Sequence, residues 1–245
     1  MKHKNAWLFI AFLAPASVCF AMNPASPLPP APDRPLTPII IDPGHGGDDQ
    51  GAVVHGIMEK NIALAFAKKL RARLRQDGDF PVILTREDDR YVTLDGRLIH
   101  SVDMRSSLFI SLHLNQVKGK KSAGAVVYSY GTEQLRPWRK LRHPSVPPMP
   151  APPRSQSAES ERLALAFART LRADGFRAES SKSDYYVLKT PASPSVLIEL
   201  GYLNNPIEAA NLVDSAYQDK MVASLAKVIE EYANSRAPAA ILTKR

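Results

Sequence analysis

The chain has 245 residues, 44% of them hydrophobic and 23% charged, which is enough for one large domain or two small ones with a proper core and excludes a globally disordered chain. A formal net charge of +8 favours polyanionic partners, such as an acidic cell-wall polymer or anionic lipid. The basic residues are scattered and not interleaved with aromatics in a stripe, so nucleic acid is not an expected partner.

Lys2 and Lys4 precede an apolar run from Ala6 to Ala21 that ends in small residues. That order predicts a secretory signal peptide over residues 1–21, cut after Ala21, and therefore export to the periplasm, the cell wall or the medium. Membrane contact is then confined to transit; the run contains Pro15 and is marginal for a span. The single cysteine, Cys19, lies inside this segment, and lipid attachment there would put Val18 where a small residue is expected. Cleavage takes away two lysines and no acid, leaving a charge of about +6 and no cysteine. Disulfides and thiolate ligands are thereby excluded, and any metal must be held by His, Asp or Glu.

Residues 22–37 are rich in proline and predict an extended linker. Pro38 to Ile41 then reads as a buried strand, because β-branched isoleucines suit a two-sided core. Asp42, Pro43 and Gly44 end it and deliver His45 in a glycine-rich turn. Ile62, Phe66, Leu70 and Leu74 form one apolar face of a helix over Met58–Gln76, closed by Gly78. Strands are expected at 81–86, 107–115, 123–130, 185–189 and 195–201, and Thr93 is placed to cap a short helix through Val102. Residues 131–157, dense in proline, arginine and serine, read as a mobile surface insertion. Further helices are expected from about Ala158, after Asn205-Pro206 with Glu208 completing a capping box, and over Tyr217–Tyr232. The tail from 235 to 245 has no structural signal.

Strands alternating with helices predict one α/β domain over 38–234, with a mainly parallel twisted sheet and helices on both faces. In such a sheet the C-terminal strand ends share one edge. His45, His113 and Glu199 each fall at a strand end, and Glu59 opens the first helix. Two histidines and one carboxylate can hold catalytic zinc with a position open to water, leaving the other carboxylate as general base. Taken singly, the residues allow plainer readings. Glu59 suits the first turn of any helix, and His113 could be a hydrogen-bonded strand end. Glu199 is harder to dismiss, since a carboxylate inside Val-Leu-Ile-Glu-Leu is costly to bury without a purpose.

The ordered segments Ile-Ile-Asp-Pro-Gly-His45-Gly-Gly-Asp-Asp-Gln-Gly-Ala, Gly56-Ile-Met-Glu59-Lys60, Leu84-Thr-Arg86 with Asp88, Leu94 with Arg97, Leu108-Phe-Ile-Ser-Leu-His113-Leu-Asn115 and Val196-Leu-Ile-Glu199-Leu-Gly201-Tyr-Leu-Asn-Asn205-Pro-Ile-Glu208 carry a resemblance. The chain resembles the zinc-dependent N-acetylmuramoyl-L-alanine amidases of the amidase-3 family, cell-wall hydrolases of bacteria, over about residues 38–234. The resemblance implies that His45, Glu59 and His113 bind Zn2+ and that Glu199 is the catalytic carboxylate. It also implies peptidoglycan as the substrate, with Asn115, Arg86 and Arg97 as candidates for substrate contact or loop anchoring. A protein activator is a further expected partner, and the chain is expected to be monomeric. His55, His100 and His143 match no ligand of the family. His100-Ser101 and Leu114 depart from its pattern, and the 131–157 insertion is less helical than the inhibitory segment that some members carry there. A zinc peptidase acting on stem peptides and a non-catalytic wall-binding regulator are the alternative readings. A phosphate cradle at Gly44–Gly47 is disfavoured, because no Gly-Lys-Ser/Thr follows.

Overall fold

The computed structural model describes residues 37–78, 80–116, 122–131, 150–190 and 192–236. The segment read as a signal peptide, Cys19, nearly all of the expected linker, His143, and most of the stretches read as an insertion and a tail lie outside the described residues.

Six strands form the central sheet: β1 (Ile39–Pro43), β4 (Val82–Leu84), β5 (Leu108–Asn115), β6 (Ala125–Tyr130), β7 (Ala178–Ser183) and β8 (Ser195–Tyr202). Their spatial order is β4-β1-β5-β8-β6-β7. All neighbours pair parallel except β6 with β8. Two short strands, β2 (Val53–Val54) and β3 (Ile57–Met58), make a separate hairpin. His55 and Gly56 form its two-residue turn with φ of 49° and 79°, as a primed turn requires. The predicted α/β class with a mainly parallel sheet is the one observed.

Alternation along β1 sends Ile39 and Ile41 to one face and Ile40 to the other. The first face carries the large core. It packs under α1 (Glu59–Gly78), α3 (Arg154–Ala173) and α5 (Ser215–Arg236), through Phe66 and Leu70, Phe167 and Leu171, and Leu225 and Ile229. The short α4 (Pro206–Val213) adds Leu212 to this side. The second face has a smaller cluster of Ile40, Phe109, Val187, Leu188 and Leu197. On that side α2 (Leu94–Asp103) buries Arg97 and Leu98. Helices thus flank both faces, but the burden of core formation is unequal.

Three elements differ from expectation. Tyr186–Lys189 is a 3-10 helix and not a strand; Leu188 N donates to Tyr185 O, and Val187 and Leu188 both turn into the smaller core. β7 was not expected at all. Its sequence, Ala-Glu-Ser-Ser-Lys-Ser, has no apolar alternation, because an edge strand is held by its ladder to β6. α3 begins at Arg154, inside the segment read as a mobile insertion, and its first polar turn precedes the apolar face that starts at Leu163. The first strand also runs on through Asp42 and Pro43 in register with Ser111 and Leu112.

Candidate metal centre

The parallel strands deliver the candidate residues to one edge. His45 follows β1, His113 lies near the end of β5, and Glu59 is the first residue of α1. His45 Nε2 and His113 Nδ1 both lie 3.0 Å from Glu59 Oε1. One ligand atom from each residue falls within 4.8 Å of the others. A tetrahedral zinc with bonds of about 2.0–2.1 Å sets its ligands about 3.3 Å apart, so these three donors fit such an ion and leave a fourth position open. The two imidazoles stand edge to face with centroids 4.9 Å apart, as rings do when they aim at a shared point from different strands.

Each ligand is itself held. Asp49 Oδ2 accepts from His45 Nδ1 at 2.8 Å, which keeps that proton away from the centre and turns Nε2 toward it. Leu114 N donates to Glu59 Oε1 at 2.9 Å, and Ala52 N donates to Oε2 at 2.8 Å. Burial alone pushes the Glu59 carboxyl up; hydrogen bonds with His113 and His45 outweigh it and hold the group well below the usual carboxylate range. Burial likewise opposes the His45 cation, yet Glu59 and then Asp49 lift its pKa above the ordinary imidazole value. Both shifts arise from the packing of the Glu59 and Asp49 carboxylates against the imidazoles.

The turn that carries His45 is clamped from below. Arg86 is fully buried; its Nη2 donates to Gly44 O (2.7 Å) and Lys60 O (2.8 Å), and its Nε donates to Pro43 O (3.0 Å). Arg97, also buried, donates from Nη2 to His45 O at 2.7 Å and from Nη1 to Asp42 Oδ1 at 2.6 Å. Asp42 further accepts from Thr85 and Ser111 hydroxyls at 2.6 Å each. Of the two roles considered for Arg86 and Arg97, the geometry supports loop anchoring. Both guanidinium groups lie under the turn and give most of their hydrogen bonds to backbone carbonyls, which favours anchoring over substrate contact.

Glu199 stands level with His113 in the β5–β8 register and is 8% exposed. Direct partners in adjacent strands share a face, so its carboxylate is on the His113 side of the sheet. The register then slips: His113 pairs with Glu199 but Asn115 with Tyr202, so β8 holds one extra residue just past Glu199. Such irregularities commonly re-aim side chains beside active sites. Asn115 lies at the same edge, half-buried, with its carbonyl accepting from Leu203 N at 3.0 Å. His55 is exposed on the hairpin turn, and His100 is on α2. Ser101 is buried in a hydroxyl network with Ser106, Thr190 and Ser193. Leu114 points into the main core.

Sequence reasoning overlooked Asp49 and Gly51. Asp49 could have been found from its i, i+4 spacing to His45 within an acidic loop. Gly51 could not, because only the folded turn shows that it faces both Glu59 and His45.

Comparison with known proteins identifies the family of the chain. Residues 39–231 match the family model described as N-acetylmuramoyl-L-alanine amidase. The chain is 32% identical over 184 residues to the N-acetylmuramoyl-L-alanine amidase LytC of Bacillus subtilis, covering 74% of this chain but only 32% of that relative. It is 31% identical over 211 residues to the germination-specific N-acetylmuramoyl-L-alanine amidase of Bacillus subtilis, covering 79% and 78% of the two chains. Among solved structures it is similar to the catalytic domain of CwlV from Bacillus (Paenibacillus) polymyxa var. colistinus, with a TM-score of 0.67, 27% identity and coverage of 81% and 98%. It is also similar to the CwlD amidase of Clostridioides difficile, solved in complex with the GerS lipoprotein, with a TM-score of 0.65, 28% identity and coverage of 81% and 99%. The chain belongs to the N-acetylmuramoyl-L-alanine amidase family.

Proposed function

We propose that the protein hydrolyses the amide joining N-acetylmuramic acid to L-alanine in peptidoglycan, with zinc held by His45, Glu59 and His113 and Glu199 as the catalytic carboxylate. The observation that carries this reading is the convergence of His45 Nε2, Glu59 Oε1 and His113 Nδ1 beside Glu199 in a chain of this family.

An amide is a poor electrophile with a poor leaving group. Zinc, when bound, supplies a Lewis acid for the scissile carbonyl and lowers the pKa of a coordinated water. Glu199 takes the proton from the attacking water and returns a proton to the leaving alanine nitrogen. Its pairing with His113 in the β5–β8 register supports this role, since the two backbones stand one strand spacing, about 5 Å, apart. Asp49 holds the His45 Nδ1 proton, and Arg97 and Arg86 fix the backbone that presents the ring. Asn115 is the remaining candidate for substrate contact. The substrate is extracytoplasmic, which agrees with the signal peptide read over residues 1–21. Among the described residues no helix is long and apolar enough to cross a membrane. The CwlD–GerS complex, an amidase bound to a lipoprotein, supports a protein as a second partner.

The test is mass spectrometry of fragments released from purified peptidoglycan by the mature chain as zinc-loaded protein, after chelation, and as Glu199→Gln. Free stem peptides beginning at L-alanine are expected from the first sample only. The substitution should lower the rate by about 10²–10⁴-fold with zinc still bound. Shortened stems still attached to sugar would make the protein a peptidase. Full activity in Glu199→Gln would remove that residue from the mechanism.

A further inference from the structure

Thr37 precedes β1, Ser107 precedes β5 and Pro194 precedes β8, so these residues mark the sheet edge opposite the metal centre. A cleft of about 520 Å³ opens among them. Its charge comes from three arginines on three separate elements: Arg105 just past α2, Arg162 on α3 and Arg236 at the end of α5. Ser106, Ser107 and Ser155 share the lining; the Ser106 hydroxyl bonds Ser101 and Ser193, and the Ser107 hydroxyl donates to Thr37 O at 3.1 Å. The one acidic residue in the lining, Glu159, pairs with Arg162, and Arg236 lies over the Tyr232 ring at 5.3 Å. Among the described residues the Arg105 side chain has no hydrogen-bond or ion-pair partner.

Arg105 is also held in an unusual way. Its φ is 48°, at the position after a helix where glycine is the least strained choice. The N–H groups of Arg105 and Ser106 close α2 by donating to Val102 O and Ser101 O, each at 3.0 Å, so the left-handed turn is locked. The locked turn fixes where the exposed Arg105 side chain leaves the backbone beside the cleft. No acidic residue occupies the first turn of α3, so Glu159, already paired with Arg162, is the one acid in the lining set against three arginines.

We propose that this cleft binds a phosphate group carried on a larger molecule, a function separate from hydrolysis at the metal centre. Guanidinium forks and hydroxyls together match the several oxygens of a phosphate better than a single carboxylate. The volume is that of a site for a drug-sized ligand and exceeds one free ion, so the phosphate belongs to a headgroup or a polymer. A phosphate-bearing partner seated on this edge leaves the metal edge facing away from it. The site also gives the basic charge of the chain, about +6 without residues 1–21, a specific place to act.

The test compares three forms of the mature chain: native, Arg105→Gln/Arg162→Gln/Arg236→Gln, and a control, Lys68→Gln/Arg73→Gln/Arg169→Gln, which removes the same charge from exposed positions on α1 and α3. One arm measures co-sedimentation with phosphatidylcholine vesicles with and without phosphatidylglycerol. The other measures calorimetric binding of short-chain polyphosphate. The cleft variant should lose about 100-fold in affinity in at least one arm, and the control far less. Loss with vesicles alone assigns the lipid headgroup as the source, and loss with polyphosphate alone assigns a soluble polymer. Equal loss in both variants, or no binding by the native chain in either arm, overturns the proposal. Unchanged peptidoglycan hydrolysis and melting of the cleft variant show that it is folded.

Discussion

A methyl group added at Gly51 would sit 2.6 Å from both Glu59 Oε2 and His45 Cδ2, and one at Gly44 would sit 2.3 Å from the His113 ring. Both glycines are therefore there for closeness: the backbone presses directly on the ligand side chains. Gly51→Ala is expected to weaken zinc binding by at least about tenfold, read by competition with a chromophoric chelator, because two ligands must shift to admit the methyl group. Unchanged affinity would mean that the ligands can give way freely. Beneath them, Asp42 is fully buried; burial raises its pKa, but Arg97 and the Ser111 and Thr85 hydroxyls more than offset this and hold it below 3.8. A carboxyl whose folded pKa is depressed stabilises the fold above its unfolded pKa and loses that contribution as pH falls through the folded value. Asp42→Asn should thus cost about 3–5 kcal/mol near pH 7, since it strands the buried Arg97 charge. The gap to the native protein should narrow below about pH 4 in urea titrations. A gap that does not change with pH would show that Asp42 acts by shape alone.

The turn from β8 into α4 shows how one element can hold others. Asn205 caps α4 as its sequence suggests, accepting from Ile207 N and Glu208 N. Glu208, expected to complete a capping box, reaches elsewhere: its two oxygens accept from Gly124 N and Tyr202 N, both at 2.8 Å. It thereby ties the start of β6 to the end of β8, just past the register slip beside Glu199. Glu208→Gln should lower stability by about 1–3 kcal/mol in urea unfolding, because an amide can accept only one of those two bonds and turns a donor toward the other. A change below about 0.5 kcal/mol would mean water replaces the tie. Elements with apolar periodicity were legible in the sequence: α1 from Ile62, Phe66 and Leu70, and β5 and β8 from their buried runs. β7 was not, because polar edge strands are specified by the neighbour they pair with. Residues 186–189 were misread because a short apolar run suits a strand and a tight turn equally well.

For the whole molecule, the metal joins segments that are distant in sequence. His45 and Glu59 come from β1 and α1, and His113 from β5, so binding to the folded state alone should stabilise all three together. At a free zinc level about 1,000-fold above Kd the gain is about 4 kcal/mol, equivalent to a melting shift of about 10 °C lost on chelation. Melting that is indifferent to EDTA would show that the cluster forms without the ion. The α/β class and the gathering of His45, His113 and Glu199 at one edge could be read from residue type and strand-end position, because parallel strands with crossover helices bring their C-terminal ends together; which carboxylate is proposed as ligand and which as catalyst followed only from the resemblance to the family. Only the folded chain decided how the arginines are used. A guanidinium at a strand end can face solvent or turn beneath the backbone, and the choice for Arg86 and Arg97 depends on carbonyls as far as 54 residues away in the chain. The same holds for the basic cleft: Arg105, Arg162 and Arg236 share no motif, and their meeting at one edge is a property of packing, which local sequence does not encode.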